Sequence, residues 1–325
     1  MDSKEPIDPL VTGIAGTRLD WDQVPEGVRE SIEHFLGRSV STASSQAGGF
    51  SPALASRLTL DDGTGIFVKA IAPDEVSGAP GGQGIYRREA QVAEALPNTV
   101  PAPRFVTSLE ADEWVVLIFE EIIGAPPILP WQRGELNRVL DAMATLGSIL
   151  TPSPISAPPA SFPGGSNDWA SICLDPSALD ELPGLDAWAR ENVERLSDVA
   201  STAKSAHHGL TLLHTDIRAD NILLTSNGAV FVDWPHAKVG APWVDLVYFL
   251  PSVAMQGGGD PQELFWDHPL AHGADLRAVC SVLASLTGFF IYGATQKPPP
   301  GLPTLRKFQL AQGIAALAWL RQMMD

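Results

Sequence analysis

His214, Asp216, Asn221 and Asp233 lie in one run, HTDIRADNILLTSNGAVFVDW (His214 to Trp234), which concentrates oxygen and nitrogen ligands around a tight turn. Ile222 to Leu224 and Ala229 to Val232 are apolar, and Ser226-Asn227-Gly228 between them tolerates positive φ, so the spacing predicts a two-stranded hairpin. A hairpin returns the chain to its start. Asn221 at its entrance and Asp233 at its exit should therefore share one small volume. An amide oxygen and a carboxylate, with room for water and phosphate, suit Mg²⁺, a hard cation that keeps part of its shell for substrate. Asp216, on the loop feeding the first strand, is a second carboxylate outside that pair and is available as a base.

The spacing His214-Thr-Asp216-Ile-Arg-Ala-Asp-Asn221, then a hairpin and Asp233, resembles the catalytic loop and metal aspartate of protein-kinase-like enzymes. The details favour one branch. Thr215 stands where many protein kinases carry Arg, Trp234-Pro235 follows the metal aspartate, and Gly240-Ala-Pro-Trp243-Val-Asp245-Leu246 replaces Ala-Pro-Glu. This pattern is similar to the aminoglycoside phosphotransferases and choline-kinase-like small-molecule kinases. The resemblance implies an α+β, bilobal protein-kinase-like fold with a small antiparallel N-lobe sheet and a mostly helical C-lobe. It implies ATP as phosphoryl donor, Asp216 as base for a substrate hydroxyl, and Mg²⁺ on Asn221 and Asp233. His214 and Asp245 would then support the catalytic loop, Asp245 anchoring it from below.

Those residues need elements to hold them. Gly48-Gly49-Phe50-Ser51 lies between the strand-like segments Ser39 to Ser44 and Pro52 to Leu60, where its amides could approach phosphate oxygens without Cβ interference. Asp61-Asp62-Gly63-Thr64-Gly65 turns the chain into Ile66 to Ala70, a β-rich run carrying Lys69, and the resemblance implies that this strand lysine pairs with the phosphates and that a helix glutamate holds it. Tyr86 to Leu96 is helical in composition and ends at Pro97, and its Glu89 is the candidate partner of Lys69, with Arg88 an alternative local partner for the acid. Arg104 to Thr107 and Trp114 to Glu121 complete a sheet of about five strands. Its end, Glu120-Glu121-Ile122, resembles the hinge whose backbone holds adenine. From Leu136 to Leu150 the apolar period is helical, so the lobes are expected at 1–123, including an N-terminal helix, and 124–325.

Composition sets outer limits. With 325 residues and 45% hydrophobic content the chain can bury one or two cores, and a net charge of −17 gives a nucleic-acid backbone no cationic surface to meet. Cys173 and Cys280 are far apart and lack metal-ligand spacing, which fits a reducing cytoplasm. The first ten residues lack the basic and apolar regions of a signal peptide, and the long apolar stretch Ala278 to Gln296 is interrupted by Ser, Thr and Gly, as in a buried core helix rather than a membrane span. Most of the tryptophans, Trp131, Trp169, Trp188, Trp234, Trp243, Trp266 and Trp319, are expected to pack cores.

The expected activity is transfer of the ATP γ-phosphate to a hydroxylated small molecule such as an aminoglycoside or other antibiotic, or an amino sugar. Eight acids between Asp168 and Asp198 against two arginines favour a cationic acceptor held by the helical lobe. Other readings use the same residues. One is a kinase fold that moves AMP or merely binds nucleotide, and another is a zinc hydrolase cluster of His207, His208, His214 and Asp216.

Overall fold

A computed structural model of the chain describes residues 18–46, 53–77, 81–160, 167–299 and 302–325. The glycine-rich candidates Gly48, Gly49, Phe50 and Ser51 lie outside the described residues. The chain divides into two compact units: the described residues through Pro126 together with Asp220–His236, and the described remainder from Pro127 to Ala219 and from Ala237 onward. The sequence suggests a single cut at 123/124. Packing puts the first cut at Pro126/Pro127 and groups the hairpin segment with the sheet.

The first unit is built on strands β1 (Val40–Ser45), β2 (Leu54–Leu60), β3 (Gly65–Ile71), β4 (Phe105–Ala111) and β5 (Trp114–Glu120), in the antiparallel order β1-β2-β3-β5-β4. The expected five-stranded antiparallel sheet is present. Successive strand residues point to opposite faces, and here both faces are covered. Ile66, Val68 and Ala70 of β3, with Trp114, Val116 and Ile118 of β5, face Val28 and Ile32 of helix α1 (Glu26–Leu36). Phe67 and Ile71, with Val115, Leu117 and Phe119, face Tyr86, Ala90 and Ala93 of the later helix Gly82–Ala95. This explains why β5, WVVLIFE, is apolar almost throughout instead of alternating. It also decides the direction of Lys69, which shares the parity of Phe67 and Ile71.

A one-turn helix α2 (Asp74–Ser77) precedes the Gly82–Ala95 helix, which becomes α3. Helix α3 starts four residues earlier than the expected Tyr86, because Gly82 and Gly84, which read as loop from composition, lie in its first turn. Strands β7 (Ile222–Thr225) and β8 (Gly228–Phe231) form the hairpin, with Ile222 opposite Phe231 and Thr225 opposite Gly228. It is tied to the sheet unit by backbone. Ala125 and Leu224 exchange N–H···O bonds of 3.1 and 2.8 Å, and Phe231 N–H donates to Pro101 O at 2.8 Å.

The second unit is mainly helical: α4 (Arg133–Ile149), α5 (Asp168–Leu174), α6 (Ala187–Glu191), α7 (Val193–Ala200), α8 (Ala203–Ala206), α9 (Val244–Met255), α10 (Pro261–Trp266), α11 (Leu276–Thr295) and α12 (Leu305–Met324). Helix α11 packs against α12, α7, α5, α8 and α9. It is long and apolar enough to cross a membrane by length and composition, yet 61% of its most apolar window is buried inside this chain, where Trp169 Nε1–H donates to the Ala284 carbonyl at 2.8 Å. Trp169 and Trp319 are fully enclosed, and Trp266 is more than a third exposed. Two short strands, β6 (Thr211–Leu213) and β9 (Lys238–Gly240), pair antiparallel and bracket the segment containing His214 and the hairpin.

Candidate active site

In the sheet unit, the structure brings Lys69, Glu89 and Asp233 together. Lys69 Nζ donates to Glu89 Oε2 and to Asp233 Oδ1, each at 2.5 Å. The side chains of Lys69 and Glu89 are 12% and 4% exposed, that of Asp233 41%. The strand parity of Lys69 aims it at α3, and Glu89 sits one turn beyond Tyr86, whose ring centroid is 5.5 Å from Lys69 Nζ. Burial works against the ammonium charge, but the Asp233 and Glu89 carboxylates outweigh it and hold the Lys69 pKa above its ordinary value. Burial pushes Glu89 upward, opposed by Lys69 and by a bond from the Trp234 backbone. Arg88 is not part of this pair; its Nη2 is buried without a hydrogen-bond partner.

Asn221 and Asp233 flank the hairpin mouth. Val232 N–H donates to the Asn221 carbonyl at 3.0 Å, which extends the ladder one step beyond Ile222 and Phe231. Asp233 has φ +71°, a left-handed conformation unusual for a residue with a side chain, and Pro235 fixes the backbone two residues later. Trp234 is buried and its Nε1–H donates to Phe231 O at 2.9 Å, which helps to stiffen the exit. The donor set is one amide and one partly exposed carboxylate. Such hard oxygen ligands fit Mg²⁺, with water and phosphate supplying the rest of its shell. Among the described residues no group of three or more His, Cys, Asp or Glu is arranged to hold a metal ion.

The hinge candidates end β5. Glu120 N–H donates to Arg104 O at 3.0 Å, so this amide is already engaged; the Glu120 carboxylate pairs with Arg104 at 3.4 Å and that of Glu121 with Arg57 at 3.8 Å. The acids thus shape the strand end.

In the helical unit, Asp245 clamps the loop after β6 from within α9. Its Oδ2 accepts from His214 N–H at 2.9 Å and its Oδ1 from Thr215 N–H at 2.8 Å. Thr215 has φ +65°, a costly conformation for a β-branched residue, and the two bonds to one buried carboxylate are what the chain uses to hold it there. Burial raises the Asp245 pKa, opposed by His214 and by the two backbone bonds. His214 is buried, and its Nδ1 accepts from Asp216 N–H at 3.2 Å, so the imidazole braces the backbone at Asp216.

Asp216 is about a quarter exposed and meets a residue the sequence reading passed over: Arg218 Nη1 lies 3.2 Å from its Oδ1, with the Arg218 side chain 15% exposed. An arginine two positions from an aspartate was the available signal, but no periodicity in a loop says which way either points. His207 does not join a zinc cluster. Its Nδ1 contacts the Ala203 carbonyl at 2.5 Å and must therefore donate, which makes Nε2 the acceptor from Tyr248 O–H at 2.7 Å. Among the acids between Asp168 and Asp198, Asp175 accepts from Ser177 Oγ, Asp180 pairs with Arg190, and Asp186 caps α6 and pairs with Arg321.

The family model described as "phosphotransferase enzyme family" matches residues 53–280. No curated protein matches the sequence. Among solved structures, aminoglycoside phosphotransferase APH(4)-Ia is similar, with 16% identity, 91% of this chain and 98% of that chain covered, and a TM-score of 0.57. A putative fructosamine-3-kinase from Thermobifida fusca (19%, 90% and 98%, 0.54) and choline kinase LicA from Streptococcus pneumoniae (13%, 91% and 98%, 0.56) are similar too. These likenesses give the fold: protein-kinase-like, an antiparallel sheet unit with a mostly helical one.

Proposed function

The chain belongs to the phosphotransferase enzyme family, and from that premise we propose that it transfers the γ-phosphoryl group of MgATP to a hydroxyl of a small molecule. The observation that carries this reading is Lys69 Nζ held between Glu89 and Asp233, a fixed cation beside a partly exposed carboxylate at the hairpin mouth. Lys69 neutralises phosphate charge, and Glu89 keeps it from turning away. Asn221 and Asp233 would hold Mg²⁺, which would shield the phosphate oxygens from one another and from the attacking hydroxyl. Backbone of Glu121 and Ile122 contacts adenine. Complexes of the APH(4)-Ia enzyme with ADP or AMP-PNP and hygromycin B support a nucleotide and a hydroxylated acceptor as ligands.

Asp216 orients the acceptor hydroxyl and takes its proton as the oxygen–phosphorus bond forms and the bond to ADP breaks. Asp245 and His214 position Asp216 through the backbone. The transfer is direct, with no phosphorylated protein intermediate, because positioning and charge neutralisation are what phosphoryl transfer chiefly requires. A cationic acceptor remains the favoured class on the net charge of −17, although Asp175, Asp180 and Asp186 have local partners. The two cysteines are free, in keeping with a cytoplasmic setting; a role in antibiotic resistance is one outcome among several.

The test is incubation of the purified chain with MgATP and a panel of aminoglycosides, macrolides, amino sugars, choline and neutral alcohols, with nucleotide products separated. ADP formed in proportion to a phosphorylated acceptor supports the reading. Pyrophosphate in its place, with AMP joined to the acceptor, points to AMP transfer, and no turnover with tight nucleotide binding points to a binding module.

A further inference from the structure

Strand β4 is an edge of the five-stranded sheet, with β5 as its one neighbour. The bond from Glu120 N–H to Arg104 O fixes the parity: Glu120, Ile118, Val116 and Trp114 of β5 turn their backbone groups toward β4. Thr107, Leu109 and Ala111, opposite three of them, spend their own groups on β5. Ser108 and Glu110, opposite Leu117 and Val115, turn N–H and C=O away from the sheet. Among the described residues the one bond to these outward groups comes from the Thr107 hydroxyl, which donates to Ser108 O at 3.3 Å.

The open stretch has two definite ends. A bulge at Val106 breaks the register between Phe105 and Thr107, and the two-residue turn Asp112-Glu113, with φ of +46° and +65°, closes the other side. What remains is Thr107 to Ala111, centred on Leu109. That stretch is complementary to itself. About a two-fold axis at Leu109, an antiparallel copy sets Ser108 against Glu110 of the second copy and Glu110 against its Ser108, and in each pair both N–H groups find a carbonyl. The side chains agree with this register. On one face a serine hydroxyl comes opposite a carboxylate; on the other, Leu109, partly buried against the α1-side core, comes opposite its own counterpart. Each chain carries a net charge of −17, yet this register sets no like charges directly opposite, and Glu110 is already neutralised at 2.8 Å by Arg87 of α3.

We propose that two copies of this chain associate by antiparallel pairing of β4 about Leu109, which joins their sheets into one. A strand pair of this length falls short of the roughly 1,200 Å² that stable interfaces bury, so the association is weak and concentration-dependent. It is independent of the phosphotransfer reading, since β4 carries none of the residues assigned to the reaction.

Sedimentation velocity of the full chain from about 1 to several hundred micromolar should show monomer passing to dimer. Hydrogen exchange at the two extremes should slow at the Ser108 and Glu110 amides and stay the same at Thr107 and Leu109, which are bonded to β5 at any concentration. Ser108→Asp sets carboxylates opposite each other at both pairs and should weaken dimerisation about tenfold or more. Adding Glu110→Lys turns both into opposite-charge pairs and should restore it. Both positions are exposed, so thermal midpoints should stay near that of the unmodified chain; should Ser108→Asp fail to fold, the alternating exchange pattern of the unmodified chain is the test. A monomer at every concentration, which leaves the edge to water or to a strand of another protein, overturns the proposal. A dimer that protects other amides overturns it too, as does one that Ser108→Asp leaves intact or that Glu110→Lys does not restore.

Discussion

Lys69 bonds two carboxylates of unequal burial, and that inequality sets what its removal does. Glu89 is 4% exposed and Asp233 41%, so Lys69→Met strands a buried acid beside one that water can still reach. Stripping one partner from a buried ion pair costs about 3 to 5 kcal/mol, while replacing both by neutral groups costs far less. Lys69→Met should therefore lose stability in urea unfolding, and Lys69→Met with Glu89→Gln should regain much of it; equal losses for single and double variants would mean the pair is not coupled. Asp216→Asn belongs to a different class of effect. It should leave ATP affinity by calorimetry nearly intact and reduce kcat by roughly 10² to 10⁴, the usual worth of a positioned base, and an unchanged kcat would move the chemistry elsewhere. Asn221 and Asp233 were legible in the sequence because a hairpin turn says where its two ends go, and Lys69 and Glu89 because a strand lysine followed by a helix glutamate stood in the order that the resemblance implies. Arg218 and the strained Thr215 were not, since a loop carries no period from which direction can be read.

At the scale of elements, the hairpin β7-β8 depends on Gly124. A Cβ at Gly124 would lie 2.8 Å from the Leu224 carbonyl oxygen, a backbone atom that cannot swing aside, next to the paired bonds between Ala125 and Leu224. Gly124→Ala should loosen the hairpin from the sheet unit. Hydrogen exchange should show faster exchange at Leu224 and Phe231 amides with MgATP binding weakened, whereas unchanged protection there would contradict the account. Helix α9 acts on the other unit through Asp245. In Asp245→Asn only one side-chain oxygen remains for the His214 and Thr215 amides, so one is left without its acceptor, at a cost of about 1 to 3 kcal/mol. Turnover should fall more than nucleotide affinity, because Thr215 at φ +65° is then under-held beside Asp216. The anchor role assigned to Asp245 came from resemblance; its physical reason, a pair of backbone bonds opposing local strain, became visible only with the loop conformation. The early start of α3 at Gly82 was hidden for the converse reason, glycine being a poor helix former whose composition favours a loop.

Across the whole molecule, acid sensitivity should follow two enclosed histidines, His207 and His268. Burial holds both below the ordinary histidine pKa. As pH falls below about 6.5 the unfolded chain takes up protons that the folded chain does not. Stability is thus complete above that pH and lost on acidification toward the depressed folded values. Glu89 and Asp245, raised by burial, act with the opposite sign: their contribution is present at low pH and fades as pH rises through their folded values. Comparing the unmodified chain with His207→Gln removes that common background; the stability drop between pH 7.5 and 5.5 should be smaller in the variant, and an equal drop would exclude His207 as a source. The identity of the acceptor was not legible at any scale, because the phosphate-handling residues fix a reaction type and leave the second substrate to surfaces whose acids also serve local packing. The central claim is direct phosphoryl transfer, and the most direct measurement follows the label from γ-³²P-ATP in a single turnover with an acceptor found to stimulate ADP release. The account predicts that label on the small molecule appears in step with ADP and never on the protein; label on the protein along the reaction path, or AMP joined to the acceptor with pyrophosphate released, would contradict it.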